Sequence, residues 1–231
     1  MKIITFTKDK SSIKYYILAL ICVLSVYLSK ISELFIPLFD NVYYGNLVEM
    51  FINISNGLIW LIEFLAIFFV CKKYGIKIFT EPERKKELSF AKLVILFVAA
   101  VIPMIVVSAY LGFTVKVVFN LGGKVTIVGF LANLCNWVSW ASRLLLITLF
   151  IHFVHLGIEK NIKFNKSWLN EYFPWGAILC LLIFGLLDFF FISPNLKWFY
   201  LFLTFYYGII YLLSGRKFYS TYVINYLIWL L

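Results

Sequence analysis

The stretch Val125–Gly157, VTIVGFLANLCNWVSWASRLLLITLFIHFVHLG, decides the fold. It runs well past the about 20 apolar residues that a membrane-spanning helix needs. Yet it carries Arg143, His152 and His155. A charge near a bilayer centre costs at least about 2.5–3.5 kcal/mol on insertion scales, so such side chains face protein and have partners. Glu63 and Asp188 lie in comparable lipid-like stretches. These five ionisable residues carry the functional information, and the rest of the sequence says where they are held.

Composition fixes the class. Of 231 residues, 63% are hydrophobic and 20% aromatic, and the mean hydropathy is +0.95. Charged residues make up 14%, against about 25% in a soluble domain. A chain of this kind is a polytopic membrane protein. The formal net charge of +10 would point to nucleic acid in a soluble protein. Here the basic residues collect in alternate loops, which is membrane orientation, so no nucleic-acid partner is expected. Cys22, Cys71, Cys135 and Cys180 lie in or beside apolar runs with no CxxC pair, and read as small packing residues.

Seven apolar runs read as spans, and the fold class is all-α, a transmembrane helix bundle. They are Tyr15–Pro37, Met50–Cys71, Phe90–Phe113, Val125–Gly157, Pro174–Ile192, Leu196–Ser214 and Phe218–Leu231. The first reads as a retained helix, since no small-x-small cleavage site follows it. The fourth is too long for a simple span and should tilt, kink or begin outside the hydrocarbon, and the seventh is short. Pro174 suits the first turn of a helix, Pro103 predicts a kink, and Gly122-Gly123 and Ser193-Pro194-Asn195 mark turns. No soluble domain is appended, so residues 1–231 read as one integral membrane domain.

Fifteen Lys and Arg residues fall in the N-terminal arm and the even-numbered loops, against three in the odd-numbered loops. This places the N-terminus in the cytoplasm and the chain in the plasma membrane, with the lipid bilayer as its first partner. The charged loop from Lys72 to Glu87 reads as an ordinary positive-inside loop, with contact to anionic lipid as the functional alternative.

Glu63, Arg143 and Asp188 fall at middle to outer depth and can meet if spans two, four and five pack together. A guanidinium and a carboxylate at such depth satisfy each other. The expected pair is Arg143 with Asp188, with Glu63 as the alternative partner, forming either a binding or catalytic centre or a register-fixing pair. His152, His155 and Glu159, spaced by three and four, share one helix face. A metal would use that face, but there is no HExxH pattern and no fourth ligand nearby, so they read as packed or hydrogen-bonded. No cofactor is expected. There is no Gly-rich phosphate loop, GxSxG or kinase set, which excludes nucleotide hydrolysis.

From Asn133 to Leu231 the chain resembles the CPBP family, the Abi or CAAX-protease-like intramembrane endopeptidases. That family carries EExxxR, then FxxxH, then HxxxN on successive helices. The first pattern falls on Val138-Ser139-Trp140-Ala141-Ser142-Arg143, where the arginine is kept. The second falls on Phe184-Gly185-Leu186-Leu187-Asp188, with aspartate in place of histidine. The third falls within Gly215–Asn225, where Asn225 is the polar residue and no histidine stands. The resemblance implies a water-activating site at these helices, and the missing glutamates and histidines remove its general base. The expectation is a non-catalytic scaffold that binds a peptide or a partner membrane protein, as an immunity or accessory protein would. The alternatives are an active peptidase using Asp188 or Glu63, and a membrane subunit of a transporter.

Overall fold

Apolar runs of this length must satisfy every backbone N–H and C=O internally, and the helix does so. The computed structural model describes residues 4–6, 10–29, 45–76, 78–79, 91, 94–95, 98, 101–102, 105–106, 127–165, 169, 173–189 and 197–230. Among them the chain is mostly helical. The helices are α1 (Ile13–Leu28), α2 (Gly45–Lys73), α3 (Ile127–Asn161), α4 (Trp175–Phe189), α5 (Lys197–Leu213) and α6 (Phe218–Leu230).

Three segments, Lys10–Leu28, Leu47–Lys73 and Ile127–Asn161, are long and apolar enough to cross a membrane. At about 1.5 Å per residue the 35 residues of α3 extend about 52 Å, well beyond a hydrocarbon core of about 30 Å. It is one unbroken helix that continues past the expected end at Gly157 to Asn161. Of the expected third span, only residues 91, 94–95, 98, 101–102 and 105–106 are described, all helical. Pro103, Gly122-Gly123 and Ser193-Pro194-Asn195 lie outside the described residues.

Among the described residues, one feature departs from an all-helical chain. Strand β1 (Ile4–Phe6) pairs antiparallel with β2 (Ile162–Phe164), which follows α3 directly, with Thr5 opposite Lys163. Three-residue strands carry too little alternation to be legible in sequence.

Helix ends follow local chemistry. Pro174 precedes the first helical residue of α4 and its carbonyl accepts the Ile178 N–H at 3.0 Å, one position earlier than expected. Gly75, at φ +65°, closes α2: the Ile76 N–H reaches Cys71 O at 2.8 Å and the Gly75 N–H reaches Lys72 O at 3.3 Å. The same arrangement closes α5, with Gly215 at φ +71° and bonds from Arg216 N to Tyr211 O and from Gly215 N to Leu212 O. Arg216 itself sits at φ +65°, a conformation that costs a non-glycine residue about 1–3 kcal/mol. Within α4, Leu181–Gly185 forms a π-helical turn, the kind of one-residue insertion that re-aims the side chains after it.

The chain forms two compact units. The first combines Met1–Val23, Ile78–Phe97 and Ile147–Thr221, and the second combines Leu24–Lys77, Val98–Leu146 and Tyr222–Leu231. In the first, α4 and α5 approach so closely that a Cβ at Gly208 would overlap the Ala177 backbone. At Gly185 a Cβ would meet Thr204 Oγ1 at 2.6 Å. In lipid there is no water to expel from between helices, so they associate through such close contacts, and small residues permit them. In the second unit, Gly57 of α2 sets the approach to α3, where its Cβ would stand 3.1 Å from Ser139 Cα.

Candidate functional site

The first unit holds both histidines of the chain. His152, His155 and Glu159 project from one face of α3, and each reaches a different partner. His152 Nδ1 shares a 2.8 Å hydrogen bond with the Tyr211 hydroxyl. His155 Nε2 accepts the Gly176 backbone N–H at 3.1 Å, and its ring stacks on Tyr211 with centroids 5.1 Å apart. An accepting Nε2 carries no proton, so this ring is neutral with its hydrogen on Nδ1. His155 is only 1% exposed.

Gly176 makes that bond possible, because a side chain there would press on Ile151 Cγ2 and on the His155 ring. Glu159 accepts from the Arg216 guanidinium in an ion pair, with side chains 35% and 15% exposed respectively. Ser214 bonds Thr221 at 2.6 Å, tying the end of α5 to the start of α6. The three side chains of this face are thus divided among Tyr211, Gly176 and Arg216. Among the described residues no group of three His, Cys, Asp or Glu side chains converges.

Asp188 also belongs to the first unit. It lies one turn beyond the π turn in α4, is 4% exposed, and is engaged by the protein.

The other three candidates, Arg143, Glu63 and Asn225, belong to the second unit. Arg143 is 4% exposed, and its guanidinium lies 4.5 Å from the Trp140 ring centroid and 5.9 Å from that of Trp60. Both distances are within the range of cation–π attraction. Trp140 stacks on Trp229 of α6 at 4.9 Å, and Trp60 Nε1 donates to Val26 O at 3.4 Å. Tyr226 of α6 donates to Trp137 O at 3.3 Å. Asn225 is fully buried on the same helix.

Asn56, Asn133, Ser139 and Ser142 are buried in this unit too, so it holds a polar group set among tryptophans. Glu63 follows Trp60 by one turn of α2, half-buried. Its Oε2 is shielded from solvent and meets no donor among the described residues. Arg143 and the expected partner Asp188 fall in different units, whereas Glu63 shares Arg143's unit.

Sequence reasoning missed Tyr211, Gly176 and the role of Arg216. Tyr211 looked like one of many aromatics, and Arg216 like a loop cation. The signal for Arg216 was its place after Gly215 at a helix end, where a left-handed turn aims its side chain.

Compared with known proteins, the chain matches no family model, no curated protein and no solved structure. Its chemistry is read from its own residues.

Two expected results follow from the first unit. Tyr211→Phe removes the hydroxyl that holds His152. Interhelical bonds of this kind contribute about 0.6 kcal/mol on average and up to about 1.7 kcal/mol in a membrane protein. A correspondingly small drop in unfolding free energy in detergent is expected. Glu159→Gln and Arg216→Gln each destabilise, and a double-mutant cycle should return a coupling of about 0.5–3 kcal/mol. Strict additivity would remove the pair from the account.

Proposed function

We propose that this chain is a seven-span plasma-membrane protein, N-terminus cytoplasmic, that binds a peptide or partner membrane protein without cleaving it. On this reading it is a CPBP-like scaffold that has lost its protease chemistry. The observation that carries the non-catalytic reading is the engagement of both histidines. Each has a ring nitrogen committed to the helix packing of the first unit, through Tyr211 and Gly176, and Glu159 is committed to Arg216. A general base must reach the proton it abstracts. These three groups instead hold helices together.

The binding half of the proposal rests on Glu63 and Arg143. A carboxylate oxygen removed from water without a donor is costly, and a partner's N–H or ammonium would satisfy it. Beside Arg143, the half-buried Trp140 adds a rigid aromatic group of the kind that recognition sites use. The orientation is supported by where basic residues meet helix ends. Lys10 and Lys14 flank the start of α1, Lys72 and Lys73 close α2, and Lys160 ends α3. In the seven-span order all of these ends face the cytoplasm.

The test is affinity purification in mild detergent, with mass spectrometry of what is retained. A specific, intact peptide or membrane protein is expected. Glu63→Gln should reduce its recovery about 10-fold or more, the loss of one charge-assisted hydrogen bond. Unchanged recovery would remove Glu63 from the site, and a retained partner found cut would favour the peptidase reading.

A further inference from the structure

Lysines gather at one end of the first unit around Tyr15. The Lys14 ammonium lies 5.2 Å and the Lys160 ammonium 5.0 Å from the centroid of that one ring. Lys160 also donates to Ser11 Oγ at 2.9 Å. Next to it, Asn161 Nδ2 donates to Ser12 Oγ at 2.8 Å and to the Tyr16 hydroxyl at 3.3 Å, fixing the end of α3 against the start of α1. Lys10 stands in the 3-10 turn that leads into α1, and Lys163 stands on β2; both are exposed. The carboxylate adjacent to Lys160, Glu159, is paired with Arg216. The positive-inside tendency accounts for an excess of lysine at this end, but not for two ammonium groups drawn onto one ring beside a serine hydroxyl.

Directly along α1 from Lys10 and Lys14, the residues Ile13, Ile17 and Ile21 of the same unit are exposed at helical spacing. The opposite face, with Leu18, Cys22 and Val26, is buried. The basic cluster therefore stands at the head of an uncovered aliphatic stripe. That combination of a cationic, hydroxyl-bearing head and an apolar track matches one chemistry.

We propose that this end of the first unit binds an anionic phospholipid. Its phosphate sits between Lys14 and Lys160, Lys10 and Lys163 add to the field, and an acyl chain lies along the exposed stripe of α1. A free anion would use the lysines alone and make no use of the stripe.

The experiment is native mass spectrometry of the full chain released from nanodiscs of phosphatidylcholine mixed with phosphatidylglycerol. Wild type should retain phosphatidylglycerol in preference to phosphatidylcholine. Each lysine near a charged lipid surface is worth about 5-fold in binding, so Lys14→Gln/Lys160→Gln should lower retention by about 10-fold or more. Lys10→Gln/Lys14→Gln alters only exposed side chains and should act in the same direction if the first double variant folds poorly. Lys72→Gln/Lys73→Gln, an equal change of charge at the end of α2, should leave retention unchanged. Excess inorganic phosphate should not displace the lipid. Absence of preference in wild type, equal loss in the α2 variant, or full displacement by phosphate would each overturn the proposal.

Discussion

Gly208→Ala is expected to destabilise the protein by about 3 kcal/mol or more, at the upper end of what overpacking costs. The added methyl would overlap the Ala177 backbone, Cα and N included, so relief by a side-chain rotamer is not available. Either α5 moves away from α4 or the helices lose their contact. Because close approach is itself the source of association between helices in lipid, moving them apart forfeits the attraction that holds them. Thermal unfolding in detergent, followed by circular dichroism, reads this directly. A variant that unfolds within about 1 °C of wild type would show that these helices do not approach as described, since 1 kcal/mol corresponds to about 2–4 °C in a chain of this size.

Gly176→Ala is the second large effect. Its Cβ would come 2.7 Å from Ile151 Cγ2 and 2.8 Å from His155 Cδ2. Those neighbours are side chains, so part of the overlap can be relieved, but only by pushing the His155 ring away. That breaks the bond from the Gly176 N–H to His155 Nε2 and leaves a buried donor and acceptor unpaired, at about 1–3 kcal/mol. With overpacking added, a loss of about 2–5 kcal/mol is expected. The pairing of this change with His155→Ala discriminates causes. If the histidine bond carries the effect, the double variant should lose less than the sum of the two singles, because removing the ring removes its share of the clash and the orphaned acceptor, leaving the overlap with Ile151.

These two glycines also show what the sequence does and does not reveal. The three long helices were legible because about 20 apolar residues in a row have one solution in lipid, and helix ends were legible in Pro174 and Lys72-Lys73. The ionisable residues were legible for the same reason: each costs free energy in a lipid-like stretch. Their partners were not. His152 meets a residue 59 positions away and His155 a backbone N–H 21 positions away, and nothing local encodes either pairing. Gly176 and Gly208 looked like any glycine in an apolar run, since what they permit is the approach of another helix. The π turn before Asp188 adds one residue to a helix without changing composition, so hydropathy passes over it.

The histidines consequently take a firmer place than packing at a membrane edge. With Tyr211 they tie α3 to α4 and α5, and the Glu159–Arg216 pair secures the turn after α5 despite the left-handed backbone at Arg216. In the first unit one ring nitrogen of each histidine and the Glu159 carboxylate are engaged in helix contacts. In the second, Arg143 rests among tryptophans, and Glu63 presents a carboxylate oxygen with no donor among the described residues.

The central claim is a membrane scaffold that binds without cutting, and a cleavage assay tests it most directly. The purified chain in mild detergent is incubated with membrane-derived peptides, and the products are read by mass spectrometry beside an Asp188→Asn variant. Uncut peptides with both proteins, some of them retained by wild type, is the predicted result. Cleavage by wild type that disappears in Asp188→Asn would contradict the account and make this chain a peptidase.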